Sequence, residues 1–255
     1  MRTLIVSSAL IGLVTVAGDF RASAGEPRTG SIAGTVVLDG AYQAKPQPRR
    51  GDPFCARTEA RDDTIVVAGG KLRDALVRVR LEPKLKAAPP AEPVLIEQKA
   101  CAYTPRVVGV VRGQQVKVTN GDATLHNVHA YVDGQTEFNR AQPRGAGAIT
   151  HAADFDGVLE LRCDVHPWMR AHAVVSEHAH FAVTGADGGF TLDGVPPGTY
   201  QLEAWHPELG RLEAEVTVRA GKTARADFTF ALKDERAKPG SAKPGKSKPA
   251  RSGTR

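Results

Sequence analysis

Apolar residues return at every second position along most of this chain, and that period limits its fold more than any other feature. Ile32, Gly34, Val36 and Leu38 alternate with smaller or polar neighbours until Asp39-Gly40 turns the chain. Ala75, Val77, Val79 and Leu81 alternate with Leu76, Arg78 and Arg80. Residues 107–111 read Val-Val-Gly-Val-Val, followed by a turn at Arg112-Gly113-Gln114 and then Val116 and Val118. Further on, Leu159, Leu161 and Cys163 share one face while Glu160 and Arg162 take the other. Leu212, Ala214, Val216 and Val218 repeat the pattern. After Ala220-Gly221-Lys222 come Ala224, Ala226, Phe228, Phe230 and Leu232, and Pro196-Pro197-Gly198 separates two more strands. Side chains of a strand alternate between two faces, whereas a helix needs a period near 3.6. Bounded by Gly, Asp and Pro, these runs read as antiparallel strands of an all-β protein with two sandwich-like units. The 26 Gly and 17 Pro among 255 residues suit many turns.

The two ends differ from the body. Arg2, the apolar run Leu4 to Ala17 and the small residues Ala22-Ser23-Ala24 read as a secretory signal over residues 1–24, with the mature chain starting near Gly25. The run is too short to span a bilayer and is followed at once by Asp19 and Arg21. Residues 233–255 repeat Lys-Pro-Gly and Lys-Pro units and hold nothing more apolar than Ala. Such a segment buries too little to offset ordering entropy, so it reads as a disordered tail. Its eight Lys and Arg against Asp234 and Glu235 match the whole chain's excess of +6, which leaves the body near neutral. The basic balance therefore argues for no nucleic-acid-binding fold. The tail is suited to weak contact with an anionic envelope surface, or to solubility alone.

The three cysteines are Cys55, Cys101 and Cys163. An odd number in an exported chain suggests one disulfide and one thiol with other work. Cys163 ends an inward-facing alternation and opens Cys163-Asp164-Val165-His166-Pro167-Trp168-Met169. A thiolate, an imidazole and a thioether within seven residues make a soft donor set, which favours copper over hard cations. His126, in His126-Asn127-Val128-His129, supplies a second imidazole. That leaves Cys55–Cys101 as the candidate disulfide. Zinc normally draws on more cysteines or a carboxylate and has no use for a thioether. A Cys–His nucleophile lacks a residue to orient its base. His129 reads as packed beside the site, and His151, His172 and His206 as surface or satisfied residues. His178 and His180 would share a strand face and are a weaker second metal candidate.

Residues from about Val94 to Glu177 resemble a cupredoxin, most of all amicyanin and plastocyanin. The resemblance rests on Tyr103-Thr104-Pro105, the Gly113 hairpin, Val118-Thr119-Asn120, His126-Asn127-Val128-His129 and the short Cys163-to-Met169 loop. It implies a Greek-key sandwich with one type 1 copper, His126, Cys163 and His166 as strong ligands and Met169 as the weak axial one. Asn127 would fix the ligand loop through hydrogen bonds. The resemblance also implies that His166 lies near the surface, with Pro167 and Trp168 forming the patch where electrons enter. In related multicopper oxidases and nitrite reductases a His beside the Cys leads to further coppers. Arg162 and Asp164 flank Cys163 here, so no catalysis is expected.

Phe181 to Leu232 resembles the carboxypeptidase regulatory-like, transthyretin-like fold through Thr184, Asp187-Gly188-Gly189-Phe190 and Val195-Pro196-Pro197-Gly198-Thr199-Tyr200. The strands that usually precede the Asp-Gly turn are missing directly upstream, but suitable ones occur at Gly30–Leu38 and Ala75–Leu81. The expected division is residues 25–91 and 178–232 as a split, smaller transthyretin-like sandwich with the cupredoxin, 92–177, inserted. A contiguous arrangement, in which residues 30–90 extend the cupredoxin, is the alternative. The combination also resembles bacterial proteins labelled methylamine-utilisation-like. The expected function is a periplasmic one-electron carrier with a redox protein partner. An envelope binding or adhesion module with structural or stored copper is the alternative.

Overall fold

The computed structural model describes residues 29–49, 51–57, 60–80 and 82–232. The expected signal at 1–24 and the expected tail at 233–255 lie outside the described residues. Strands dominate, and they fall into three successive groups along the chain. The first holds β1 (Gly30–Asp39), β2 (Val67–Ala68), β3 (Lys71–Leu72) and β4 (Leu76–Val79). The second begins with β5 (Val94–Lys99), β6 (Ala102–Thr104), β7 (Val107–Val111), β8 (Gln115–Asn120) and β9 (His126–Val132). It continues with β10 (Gln135–Gln142), β11 (Ile149–Ala152), β12 (Val158–Arg162) and β13 (Arg170–Ser176). The third holds β14 (Phe181–Val183), β15 (Gly189–Val195), β16 (Gly198–His206), β17 (Gly210–Val218), β18 (Thr223–Arg225) and β19 (Phe228–Ala231).

The first and third groups share sheets. In one sheet β1 lies beside β15 and β3 on one edge and beside β18 and β19 on the other. In the facing sheet the order is β14-β4-β16-β17. Between them Ile32, Val36, Val77, Val79, Leu192, Leu202, Val218 and Phe230 form one buried core. The residues that alternate in sequence are those that face inward, as a half-buried strand requires. Gly34 is needed at the crossing, because a Cβ there would meet the Ala226 carbonyl oxygen at 1.6 Å.

The middle group forms the second sandwich, from sheets ordered β10-β9-β12-β13-β7 and β11-β8-β5-β6. Its core includes Ile96, Val110, Val116, Val118, Leu159, Leu161 and Ala173. Cys55 and, less deeply, Phe54 pack into this core although they precede β5 in the chain. The connection from β1 to β2 therefore crosses over to the second sandwich, which ordinary loop composition does not announce.

A small third cluster of Leu76, Val107 and Val174, with Phe181, Val183 and Trp205, joins the two sandwiches. The Phe181 ring occupies the place of the missing Gly109 side chain, 2.2 Å from where a Cβ would lie. On the same face of β4, Arg78 donates to buried Glu203 at 2.9 Å and to the Val175 carbonyl at 2.6 Å. Both faces of β4 are thus covered, one by its own core and one by the neighbouring sandwich.

Candidate metal centre

His126 opens β9, and Cys163 directly follows β12, its antiparallel neighbour, so both lie at one end of the same sheet. Leu159 and Leu161 fix the register of β12, and the next inward position is Cys163. The seven residues from Cys163 to Met169 turn the chain into β13. Two backbone bonds close this loop, from Met169 N to the His166 carbonyl at 2.9 Å and from Cys163 N to the Met169 carbonyl at 3.2 Å.

The structure brings together His126, Cys163 and His166, each almost wholly buried. The two Nδ1 atoms are 2.9 Å apart, and Cys163 Sγ lies 4.0 Å from that of His126 and 3.7 Å from that of His166. These separations would let both nitrogens and the sulfur reach one ion at ordinary ligand distances of about 2.0 and 2.3 Å. Met169 is buried in the hydrophobic core that also takes in Cys163. The residues present therefore suit a metal that takes two imidazoles and a thiolate.

Charge and hydrogen bonding favour the same conclusion. His126 donates Nε2–H to Asp122 at 2.9 Å, and His166 donates Nε2–H to Asp52 at 3.0 Å. Each ring so fixed presents a bare Nδ1 lone pair to the other. Burial pushes the pKa of His126 down, and neighbouring His166 adds to this while Asp122 opposes it. Burial likewise raises the Cys163 thiol. A cation placed among the three donors would offset the facing lone pairs and favour the thiolate.

Asn127 holds the ligand loop. Its side-chain oxygen accepts from Asp164 N at 2.7 Å and faces Cys163 Sγ at 3.3 Å, while its amide nitrogen donates to Asn139 and Asp164. Its backbone N–H points at the sulfur at 3.5 Å. His129 stands outside, between Asp164 at 3.0 Å and a stacked Tyr131 ring.

Cys55 and Cys101 form the disulfide, and Cys163 is free. The expectation of a surface His166 is overturned: the residue is 1% exposed. The segment from Asp52 to Arg57 covers it, with Cys55 Sγ 3.5 Å from His166 Nε2. Pro167 is exposed, but Trp168 is half-buried and donates to the Cys101 carbonyl at 3.0 Å, so the two do not frame an accessible imidazole. The exposed apolar residues at this end are Leu125 and Val165, next to the two ligands in sequence.

Other histidines also differ from expectation. His172 and His206 are buried, and His172 Nδ1 and His206 Nε2 lack partners, because both sit where the sandwiches meet. His151 Nε2 is also without a hydrogen bond. His178 and His180 lie in the bend between β13 and β14, not on a strand, and no metal-ligand group among the described residues includes them. Sequence reasoning missed Asp52, Asp122 and Thr124. The available signal was an acid placed four residues before His126 and another three before Cys55.

The carboxypeptidase regulatory-like domain family matches residues 169–231. No curated protein sequence matches the chain. Among solved structures, the novel purple cupredoxin from Nitrosopumilus maritimus is 26% identical, over 32% of this chain and 99% of its own, with a TM-score of 0.29. Amicyanin from Paracoccus versutus is 23% identical over 39% of this chain and 97% of its own, with a TM-score of 0.31. The Cu-containing nitrite reductase from Thermus scotoductus is 18% identical over 56% of this chain and 28% of its own, with a TM-score of 0.30.

Proposed function

We propose that this chain is an exported, periplasmic type 1 copper protein that carries single electrons, in which His126, Cys163 and His166 would hold the copper strongly and Met169 would be the weaker fourth donor. The observation that carries the reading is the pair of Nδ1 atoms 2.9 Å apart beside the one free thiol. When bound, copper held by two imidazoles, a thiolate and a weaker thioether would supply a one-electron couple that needs little rearrangement. The protein's part is to hold the donors in place beforehand. Two carboxylates fix the rings, Asn127 fixes the Cys163 loop, and the buried core beneath excludes water.

Neither Arg162 nor Asp164, on either side of Cys163, is a relay to another metal. Arg162 pairs with Glu160, and Asp164 with His129. The site therefore suits transfer and not substrate turnover. A redox protein partner would dock at the end bearing Leu125 and Val165, 46% and 48% exposed, since His166 is covered. The first sandwich, built from β1–β4 and β14–β19, serves as scaffold or docking surface.

The cover over His166 favours one other reading, in which the copper is structural or stored within an envelope binding protein. The electron self-exchange rate of the full copper-loaded chain, read from NMR line broadening in mixed Cu(I)/Cu(II) samples, separates the two. Reversible cycling with rapid exchange supports the carrier. Copper that cannot be cycled, or exchanges very slowly, supports storage.

A further inference from the structure

Resting on the copper reading above, we infer that Asp52 and Asp122 are positioning residues for the two histidines, and that the Cys55–Cys101 disulfide ties them into one unit. The arrangement is matched on the two sides. Asp122 accepts from Ala100 N at 2.7 Å and Cys101 N at 2.8 Å, and takes the Nε2–H of His126 at 2.9 Å. Asp52 accepts from Phe54 N at 2.7 Å and Cys55 N at 3.3 Å, and takes the Nε2–H of His166 at 3.0 Å. Each carboxylate is thus bound by the backbone amide of one half-cystine and by one imidazole.

A turn-capping role alone does not account for this geometry. Asp52 spends Oδ1 on the two backbone amides and turns Oδ2 to His166 and to Thr124, whose hydroxyl donates at 2.7 Å. The disulfide, 1% exposed at both cysteines, joins chain segments 46 residues apart and brings the two carboxylates to the two rings.

Two effects follow. Both rings are locked with Nε2 protonated and Nδ1 free for metal before any metal arrives. Two anionic acceptors behind the imidazoles also strengthen them as donors, which favours Cu(II) over Cu(I). The positioning is therefore read in the reduction potential as well as in metal affinity.

The test uses the full mature chain, Asp52→Asn, Asp122→Asn, and Cys55→Ser with Cys101→Ser. Side-chain ¹⁵N NMR of the metal-free proteins reads the tautomers. The parent should show both rings protonated at Nε2, Asp52→Asn should disturb His166 alone, and the double Ser variant should disturb both. In the Cu-loaded proteins each Asn variant should weaken Cu(II) binding by about tenfold or more. If Cu(I) binding is little changed, the midpoint potential rises by about 59 mV for each such factor. Asp52 lies outside every strand, so its variant leaves the sheets intact and its potential is read from a folded protein. Potentials unchanged in Asp52→Asn, or a parent with Nδ1-protonated rings, would overturn the inference. A parent that lacks any thiolate-to-copper absorption sinks the copper reading instead, and the metal-free NMR still decides the positioning.

Discussion

Acid should loosen the junction between the two sandwiches through His172, and the structure gives the size of the effect. His172 is 7% exposed, its ring meets Trp205 edge-on at 5.6 Å, and its Nδ1 has no hydrogen-bond partner. Burial, helped by nearby Arg106, lowers its pKa from 6.5 to about 4. Glu160 opposes that shift, and Arg170 and Arg162 add to it. The unfolded chain takes up a proton as pH falls through 6.5, while the folded chain refuses it until about 4. The stabilising share is therefore whole above pH 6.5 and is lost progressively between 6.5 and 4. At pH near 4.5 the loss from this one group is about 2.5 kcal/mol. The ring makes no side-chain hydrogen bond, so His172→Phe removes the proton site without breaking one. Urea unfolding of the metal-free full chain, followed by tryptophan fluorescence at pH 7 and pH 4.5, gives the comparison. His206 nearby, its pKa lowered to about 3 chiefly by its own burial, titrates in both proteins, so most of its share drops out of the comparison. The parent should lose about 2.5 kcal/mol more than His172→Phe. Parallel pH dependence in the two proteins would refute the reasoning.

Four further outcomes are expected. Gly109→Ala forces a methyl group against the Phe181 ring, and unfolding should cost about 1–3 kcal/mol less, measured by urea titration. Arg78→Ala removes the more buried partner of Glu203, whose side chain is 1% exposed, leaves only the exposed Arg211 beside it, and should destabilise by about 3 kcal/mol. Arg211→Ala, removing a 60% exposed partner of the same carboxylate, should cost under about 1 kcal/mol in the same assay. Asn127→Ala frees Asp164 N and the Cys163 loop, and competition with a chelator should show about 10–100-fold weaker copper binding.

The strands were readable because burial on one face imposes a period of two, and Leu159, Leu161 and Cys163 show how far that carries. The alternation alone turns the thiol inward, and the spacing to His166 and Met169 then places a loop there. The shared sheets of β1, β4, β15 and β16 were legible only in outline, since pairing partners lie far apart in sequence. The face of β4 bearing Leu76 and Arg78 meets the other sandwich without announcing it in sequence, because a polar residue with a buried partner such as Glu203 carries no local mark. The covering of His166 was not legible at all. Asp52 is 114 residues away from it, in a Pro-rich connection that reads as ordinary loop. Contacts made by irregular segments leave no periodic trace, so the cover over His166 went unseen.

The most direct measurement is the visible absorption spectrum of the Cu(II)-loaded mature protein beside that of Cys163→Ser. The account predicts an intense thiolate-to-copper band in the parent that the Ser variant lacks. A weak spectrum, the same in both proteins, would contradict it.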